Sequence, residues 1–395
     1  MKLDDIKSFN PPERLLMGPG PSDVHIRVLQ AMARPTVGHF DPTFIELMEE
    51  IKLLLQYAFQ TTNALTIPIS APASAAMECC FVNLVEPGEK VIVCRNGVFG
   101  ERMKENVERC GGLAIMVDDD WGRVVDPNKL EDTLKANPDA KIVAFVHAET
   151  STGVLSDAKI LCEIAQRYDC LTIVDAVTSL GGNPLKVDEW QMDAVYSGSQ
   201  KCLSAPPGLS PITFSPRAVE KIQGRKTKVQ SWFLDLNLIM AYWGDGKRVY
   251  HHTAPVNALY GLHEALLMLK EESLEKAWTR HDRNYRALRS GFEAMGLSYN
   301  VVRESERLPQ LNAINVLEGI DDAEVRQRLL NEHWIEIGAG LGNFSGKIWR
   351  IGLMGYSSHM KNVLDCLRAL EEILKDMGAN ISEENIVSFL KDGAS

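Results

Sequence analysis

The sequence predicts an α/β protein: a large domain built on a mostly parallel sheet flanked by helices, with a smaller α+β domain behind it. Three observations lead there. Between about residues 64 and 215, short β-rich apolar runs alternate with helical patterns, the order in which helical crossovers connect parallel strands. Those runs lack clear polar alternation, as expected of strands covered on both faces. A long helical stretch then leads into a second, shorter set of strands and helices.

In chain order, "KVIVCRN" (90–96), "GLAIMV" (112–117), "KIVAFVHAE" (141–149), "CLTIVDAV" (170–177) and "DAVYSG" (193–198) read as strands. Between them, "GERMKENVERCG", "PNKLEDTLKANP" and "DAKILCEIAQRYDC" space their apolar residues by three and four. They stop at Gly, Pro or polar residues, as helices do. Upstream, "TIPISAPASAAMECCFVNLVEPG" holds a small-residue turn, Ser70 to Ser74, opening into a helix that ends at "EPG". The stretch from Ala254 to Gly296 reads as two or three helices, with the hinge between domains expected within 255–285. Beyond it come strands at "LNAINVL" and "KIWRIGLMG" and helices at "DAEVRQRLLNEH" and "MKNVLDCLRALEEILKDMG". The expected division is an N-terminal arm over 1–20, a large domain over 21–270 and a small domain over 271–395.

Composition narrows the function classes. Of 395 residues, 45% are apolar and 24% charged, ordinary for a soluble globular chain. A net charge of −11 gives no basic surface for nucleic acid or an anionic membrane. Apolar runs such as "IKLLLQYAF" are too short to span a bilayer. The N-terminus "MKLDDIKSFNPPER" has no targeting pattern, and "KDGAS" is no peroxisomal address, so a cytoplasmic location is expected. Eight cysteines form no C-x-x-C pair and read as reduced, buried thiols. The nine histidines show no H-E-x-x-H, and no metal site is expected.

In open parallel sheets, ligands gather beyond the carboxyl ends of the strands. Those ends supply Glu149, Thr150 and Ser151 in "FVHAETSTG", Asp175 in "TIVDAVTSLGG", and Gln200 and Lys201 in "VYSGSQK". Asp175 emerges directly from an apolar strand, and Lys201 follows another strand 26 residues later. That spacing leaves room for a crossover that sets the two strands close together. A buried aspartate is costly unless a cation meets it, so an Asp175–Lys201 salt bridge is one reading. The other comes from the neighbours of Lys201, which are small and flexible and leave space for a ligand. A desolvated lysine there can act as an amine nucleophile. Pyridoxal phosphate uses both groups at once, a lysine for the Schiff base and a carboxylate for the ring nitrogen.

Other parts of such a site carry two readings each. The helix start at Ser70–Ser74 can hold a phosphate, or one of those serines can be a simple N-cap. Phe99, in "RNGVFGER", can stack on a ring or be plain core. Arg350, in the apolar run "KIWRIGLMG", can clamp a substrate carboxylate or sit in a buried ion pair.

Taken together, these segments resemble the class V pyridoxal-phosphate aminotransferases of fold type I, and within them the alanine/serine–glyoxylate (pyruvate) aminotransferase group. The motifs are "LLMGPGPSD", "VGHFDPTF", "VNLVEPGE", "HAETSTGVL", "IVDAVTSLGG", "YSGSQKCLSAPPG", "RKTKV", "YHHTAPV" and "GKIWRIGLMG". They run in order over nearly the whole chain. The resemblance implies a ping-pong transamination of small amino acids and 2-oxo acids, with pyridoxal 5′-phosphate as cofactor. Lys201 is then the Schiff-base lysine and proton carrier, Asp175 the partner of the ring nitrogen, and Phe99 the stacking residue. Thr150 bonds the ring hydroxyl, while Gln200, Ala73 and Ser74 hold the phosphate. Tyr250 and Thr253 reach the phosphate of a neighbouring subunit, which implies a homodimer with shared sites. Arg350 clamps the substrate carboxylate, and the turn at Gly20 lines the substrate side.

Two points temper the match. Family members carry a turn of the type S-G-x-G where this chain has "SAPAS" at 70–74, and Ala and Pro restrict angles that Gly leaves free. The ureidoglycine–glyoxylate aminotransferases are also similar, around "GHFDPTF", "DDWGRVVDP" and "KIWRIGLMGYS". In that subgroup glutamine and asparagine stand where this chain has His39 and Tyr250. A non-catalytic nucleotide-binding protein is the remaining alternative, and "GAGLGN" (338–343) is its sole support. It lacks the G-x-G-x-x-G spacing after a strand.

Overall fold

Seven apolar segments whose charges fall only at their ends build the large sheet of the computed structural model. They are β1 (Leu65–Ile69), β2 (Lys90–Arg95), β3 (Leu113–Asp118), β4 (Ile142–Val146), β5 (Leu171–Asp175), β6 (Ala194–Tyr196) and β7 (Ser210–Phe214). Their spatial order is β1-β7-β6-β5-β4-β2-β3. Strands β2 to β6 run parallel to one another. Strand β7 is antiparallel to both β1 and β6, which makes the sheet mixed. The structure describes residues 3–244 and 248–381. The end of the expected small domain, with "KDGAS", lies outside the described residues.

Strand β7 escapes the sequence reading because Pro211 sits inside it, and proline normally argues against an inner strand. Here Pro211 faces Pro68 across the ladder, so two residues without N–H groups share one register position. A second difference bears on function. The expected strand over 141–149 stops at Val146. The His147 N–H bonds the Asp175 carbonyl, and Ala148–Glu149 then pairs with Val154–Leu155 in a separate hairpin. The chain thus leaves the sheet at its carboxyl edge and carries Glu149, Thr150 and Ser151 with it.

Helices α1 (Ala73–Leu84), α2 (Val98–Arg109), α3 (Pro127–Ala136) and α4 (Ala158–Arg167) connect the strands. The long helical stretch resolves into α5 (Val256–Glu272) and α6 (Leu274–Ala294), separated by Ser273 with φ of 74°. Helix α6 starts in one hydrophobic core, through Leu274 and Ala277, and ends in another, through Leu288 and Phe292. That second core covers a small antiparallel sheet, β8 (Leu311–Asn315), β10 (Ile348–Gly352) and β9 (Gly338–Ala339) in spatial order, together with α7 (Met360–Asp376). Met17 packs into the same core, and Leu15–Leu16 pairs in parallel with Ile335–Glu336. The N-terminal segment is therefore tied to the small domain. No helix among the described residues is long and apolar enough to cross a membrane.

Candidate active site

Asp175 and Tyr196 end neighbouring parallel strands and lie in direct register. The sheet delivers both side chains to its carboxyl edge. Asp175 is 3% exposed. Its carboxylate accepts from the Val177 N–H and the Tyr196 hydroxyl, each at 2.9 Å. Burial pushes its pKa up to about 7, against the pull of those two donors.

Past β6 the chain turns sharply and Lys201 follows. Its small neighbours do not leave this loop slack, contrary to the flexibility their composition suggests. The Ser199 N–H bonds the Leu209 carbonyl, and the Ser199 hydroxyl donates to the Pro206 carbonyl. From the other side, the Ser22 N–H and hydroxyl bond the carbonyls of Gln200 and Lys201. The half-buried Lys201 points its amine at the Pro19 carbonyl. Desolvation lowers its pKa to about 8. Gly20 is required twice over: its φ is 109°, and a Cβ there would lie 2.7 Å from the amine.

The salt-bridge reading therefore fails. Among the described residues, neither group has the other as an ion-pair partner; each faces one cavity of about 180 Å³. Phe99, Thr150, Gln200, Ala73 and Ser74 line the same cavity. A larger, more open groove of about 990 Å³ adjoins it through Ser74, Met77 and Arg102. The smaller space is where two groups shifted by burial, Asp175 and Lys201, meet, and that outweighs volume.

The "SAPAS" departure leaves the helix start intact. Pro72 occupies the N-cap position with φ of −68°, proline's own preference, and α1 begins at Ala73. Neither serine acts as the cap: no side chain caps this helix, and the Ser70 hydroxyl instead meets His252 at 2.8 Å. The first-turn amides thus open toward the cavity, an arrangement suited to an anion. Gln200 Oε1 is buried without a partner; it is an acceptor, and the donor this side chain has for a phosphate is its amide NH₂.

Arg350 is 7% exposed. It donates to the Ala339 carbonyl at 2.6 Å and the Thr150 carbonyl at 3.2 Å, and has no carboxylate partner among the described residues. The ion-pair alternative for Arg350 is thereby removed. Tyr250 and Thr253 stay apart from the cavity, bonded to each other at 3.2 Å on an exposed face beside His39 and Phe40. Sequence reasoning missed Tyr196, whose only signal was an aromatic residue just ahead of the polar loop. The "GAGLGN" stretch forms edge strand β9 and a 3₁₀ turn, with no helix N-terminus to receive a phosphate.

Residues 23–357 match the class V aminotransferase family. The chain belongs to that family. This aminotransferase superposes on the alanine–glyoxylate aminotransferase of Nostoc sp. with a TM-score of 0.91 and 45% identity, over 94% of this chain and 97% of that one. It superposes on the ureidoglycine–glyoxylate aminotransferase of Bacillus subtilis with a TM-score of 0.95 and 38% identity, over 98% and 99% of the two chains. The alanine–glyoxylate aminotransferase of Drosophila melanogaster is 38% identical over 94% of this chain and 95% of its own. The fold is thus that of the fold type I aminotransferases, and membership implies pyridoxal phosphate as cofactor. The cavity fits that group, with an amine at one wall, a buried carboxylate at another and an uncapped helix start beside them.

Proposed function

We propose that this aminotransferase moves an amino group from serine or alanine to glyoxylate or pyruvate in a ping-pong reaction. One observation carries the reading: a lysine and an uncompensated buried aspartate face a single cavity, with a carboxylate-free arginine bonded to its Thr150 wall. When bound, pyridoxal phosphate supplies an aldehyde for the lysine and a protonated ring that withdraws electrons from the substrate Cα. Lys201 would hold the cofactor through its amine, and the same amine would move the proton at the substrate Cα. Its lowered pKa of about 8 suits that duty, because a useful fraction is neutral near physiological pH. Asp175 keeps the ring nitrogen protonated. Burial raises its pKa in the chain alone, and a pyridinium beside it would favour the charged carboxylate.

Phe99 would cover the ring, Thr150 would bond the ring hydroxyl, and the Gln200 NH₂ with the amides of Ala73 and Ser74 would bind the phosphate. Arg350 receives the substrate carboxylate, and Gly20 lets the N-terminal turn close over the amine. Tyr250 and Thr253 serve the cavity of a second copy, which agrees with their exposed position away from their own. The domain division at 270–271 belongs to this proposal as well.

A second reading, (S)-ureidoglycine as donor, draws on the likeness to the Bacillus subtilis enzyme. Against it stand His39 and Tyr250, whose rings lie 5.4 Å apart, at the positions where that subgroup has glutamine and asparagine. A ureido group wants paired amide donors and acceptors, and the Tyr250 hydroxyl is already engaged with Thr253. A half-reaction screen decides: each amino acid is mixed with holoenzyme while the cofactor absorbance is followed. Serine or alanine should convert it fastest and glyoxylate restore it. Faster conversion by (S)-ureidoglycine or a kynurenine overturns the assignment.

A further inference from the structure

Glu149 has no place in the chemistry above, yet it is a carboxylate with no solvent exposure beside the cavity. Its position is built with some care. Helix α2, which carries Phe99, begins after Gly97 and has no side-chain cap of its own. Glu149 supplies one from 50 residues away: one oxygen accepts the Phe99 N–H at 3.2 Å. The other accepts the N–H of Ser151 at 3.0 Å and its hydroxyl at 2.6 Å. The Ser151 hydroxyl in turn accepts the Val98 N–H at 3.0 Å. A Cβ on Gly97 would lie 2.4 Å from the Glu149 carboxyl carbon, so the glycine is what lets the carboxylate approach the helix start. Negative charge is favoured at that end of a helix.

An ordinary cap would come from the residue before the helix and sit near solvent. This one joins two cavity walls. Helix α2 brings Phe99 to one side, and the segment Glu149–Ser151 brings Thr150 to another. Thr150 also fixes Arg350 through its carbonyl. A shift at the carboxylate would therefore move the ring-covering side chain, the hydroxyl and the arginine together.

We propose that Glu149 is a positioning residue, which locks Phe99, Thr150 and Arg350 into one geometry around the cofactor cavity. The proposal rests on the function argued above. Both oxygens act as acceptors, so an amide cannot replace them: in Glu149→Gln an NH₂ must face an N–H donor. The test uses full-length Glu149→Gln and Ser151→Ala beside the unaltered enzyme. Three quantities are read: affinity of the apo-form for pyridoxal phosphate, circular dichroism of the bound cofactor band, and KM against kcat for the amino donor.

Glu149→Gln should weaken cofactor binding by roughly tenfold, reduce the dichroic band and raise the donor KM, while the apo-form still melts cooperatively. Ser151→Ala should move all three the same way by about threefold. A lower melting temperature with unchanged cofactor affinity and dichroism would make Glu149 a plain structural cap and overturn the proposal. Should Glu149→Gln fail to fold, Ser151→Ala decides alone by the same criteria. If borohydride fails to fix the cofactor on Lys201 in the unaltered enzyme, the functional reading itself falls and takes this proposal with it.

Discussion

The neighbouring strands β5 and β6 set two buried aspartates at opposite edges of the sheet, Asp175 closing β5 and Asp193 preceding β6, and the two are treated very differently. Asp193 is 2% exposed. It accepts from the Thr172 N–H at 3.1 Å and the Ser215 hydroxyl at 2.7 Å, and pairs with Arg217 at 3.6 Å. Asp175 has two neutral donors and no contacting cation. The first is a structural carboxylate with a guanidinium partner, although burial still raises its pKa. The second keeps its charge unmet and faces an opening, which folding alone gives no reason to tolerate. Burial is the same at both edges; what differs is the missing counter-ion.

The sharpest way to break that contrast is to remove the group across the cavity. Lys201→Ala should abolish borohydride-stable cofactor labelling and cut turnover by at least about 10³-fold. A retained label would put the attachment on another amine. Next comes the contrast itself. Asp175→Asn should lose at least about 10²-fold in turnover. Because folding raises the Asp175 pKa from 3.8 to about 7, the protonated form is favoured. That stabilising contribution is full below about pH 4 and lost as pH rises through 7. Apo Asp175→Asn should therefore melt roughly 2–5 °C above the apo parent at pH 8 and level with it at pH 4. Asp193→Ala should do the reverse. It strands the Thr172 N–H and Ser215 hydroxyl, lowers stability by about 2–4 kcal/mol, and leaves kcat of the folded enzyme nearly unchanged. Equal behaviour of the two aspartates in a melting series would erase the distinction. The smallest effect belongs to Tyr196→Phe, which removes one donor to Asp175 while keeping the ring. A fall in kcat of about 3–10-fold is expected, and no change would mean that Val177 alone holds the carboxylate.

Asp175 and Lys201 were legible in the chain because each breaks an apolar strand pattern at its end, a purely local signal. Arg350 was legible for the same reason, as a lone charge in an apolar run. Tyr196 was not, since a buried aromatic at a strand end looks like any core residue until its hydroxyl has an address. Strand β7 was hidden by Pro211, whose acceptability depends on Pro68 opposite. The split at His147 was hidden too, because Ala148–Glu149 leaves the sheet to pair with Val154–Leu155, a partner that the local pattern does not announce.

Local patterning, strand–helix alternation and the order of the motifs were enough to establish the α/β architecture, the family and the two ends of the cavity. These depend on near neighbours in the chain, where period and composition speak directly. What they could not establish were relations between distant residues. The absent ion pair between Asp175 and Lys201, the tethered loop around the lysine and the cap that Glu149 places on α2 are of this kind. Each is a distance or a missing contact across dozens of residues, and only the packed chain fixes such quantities.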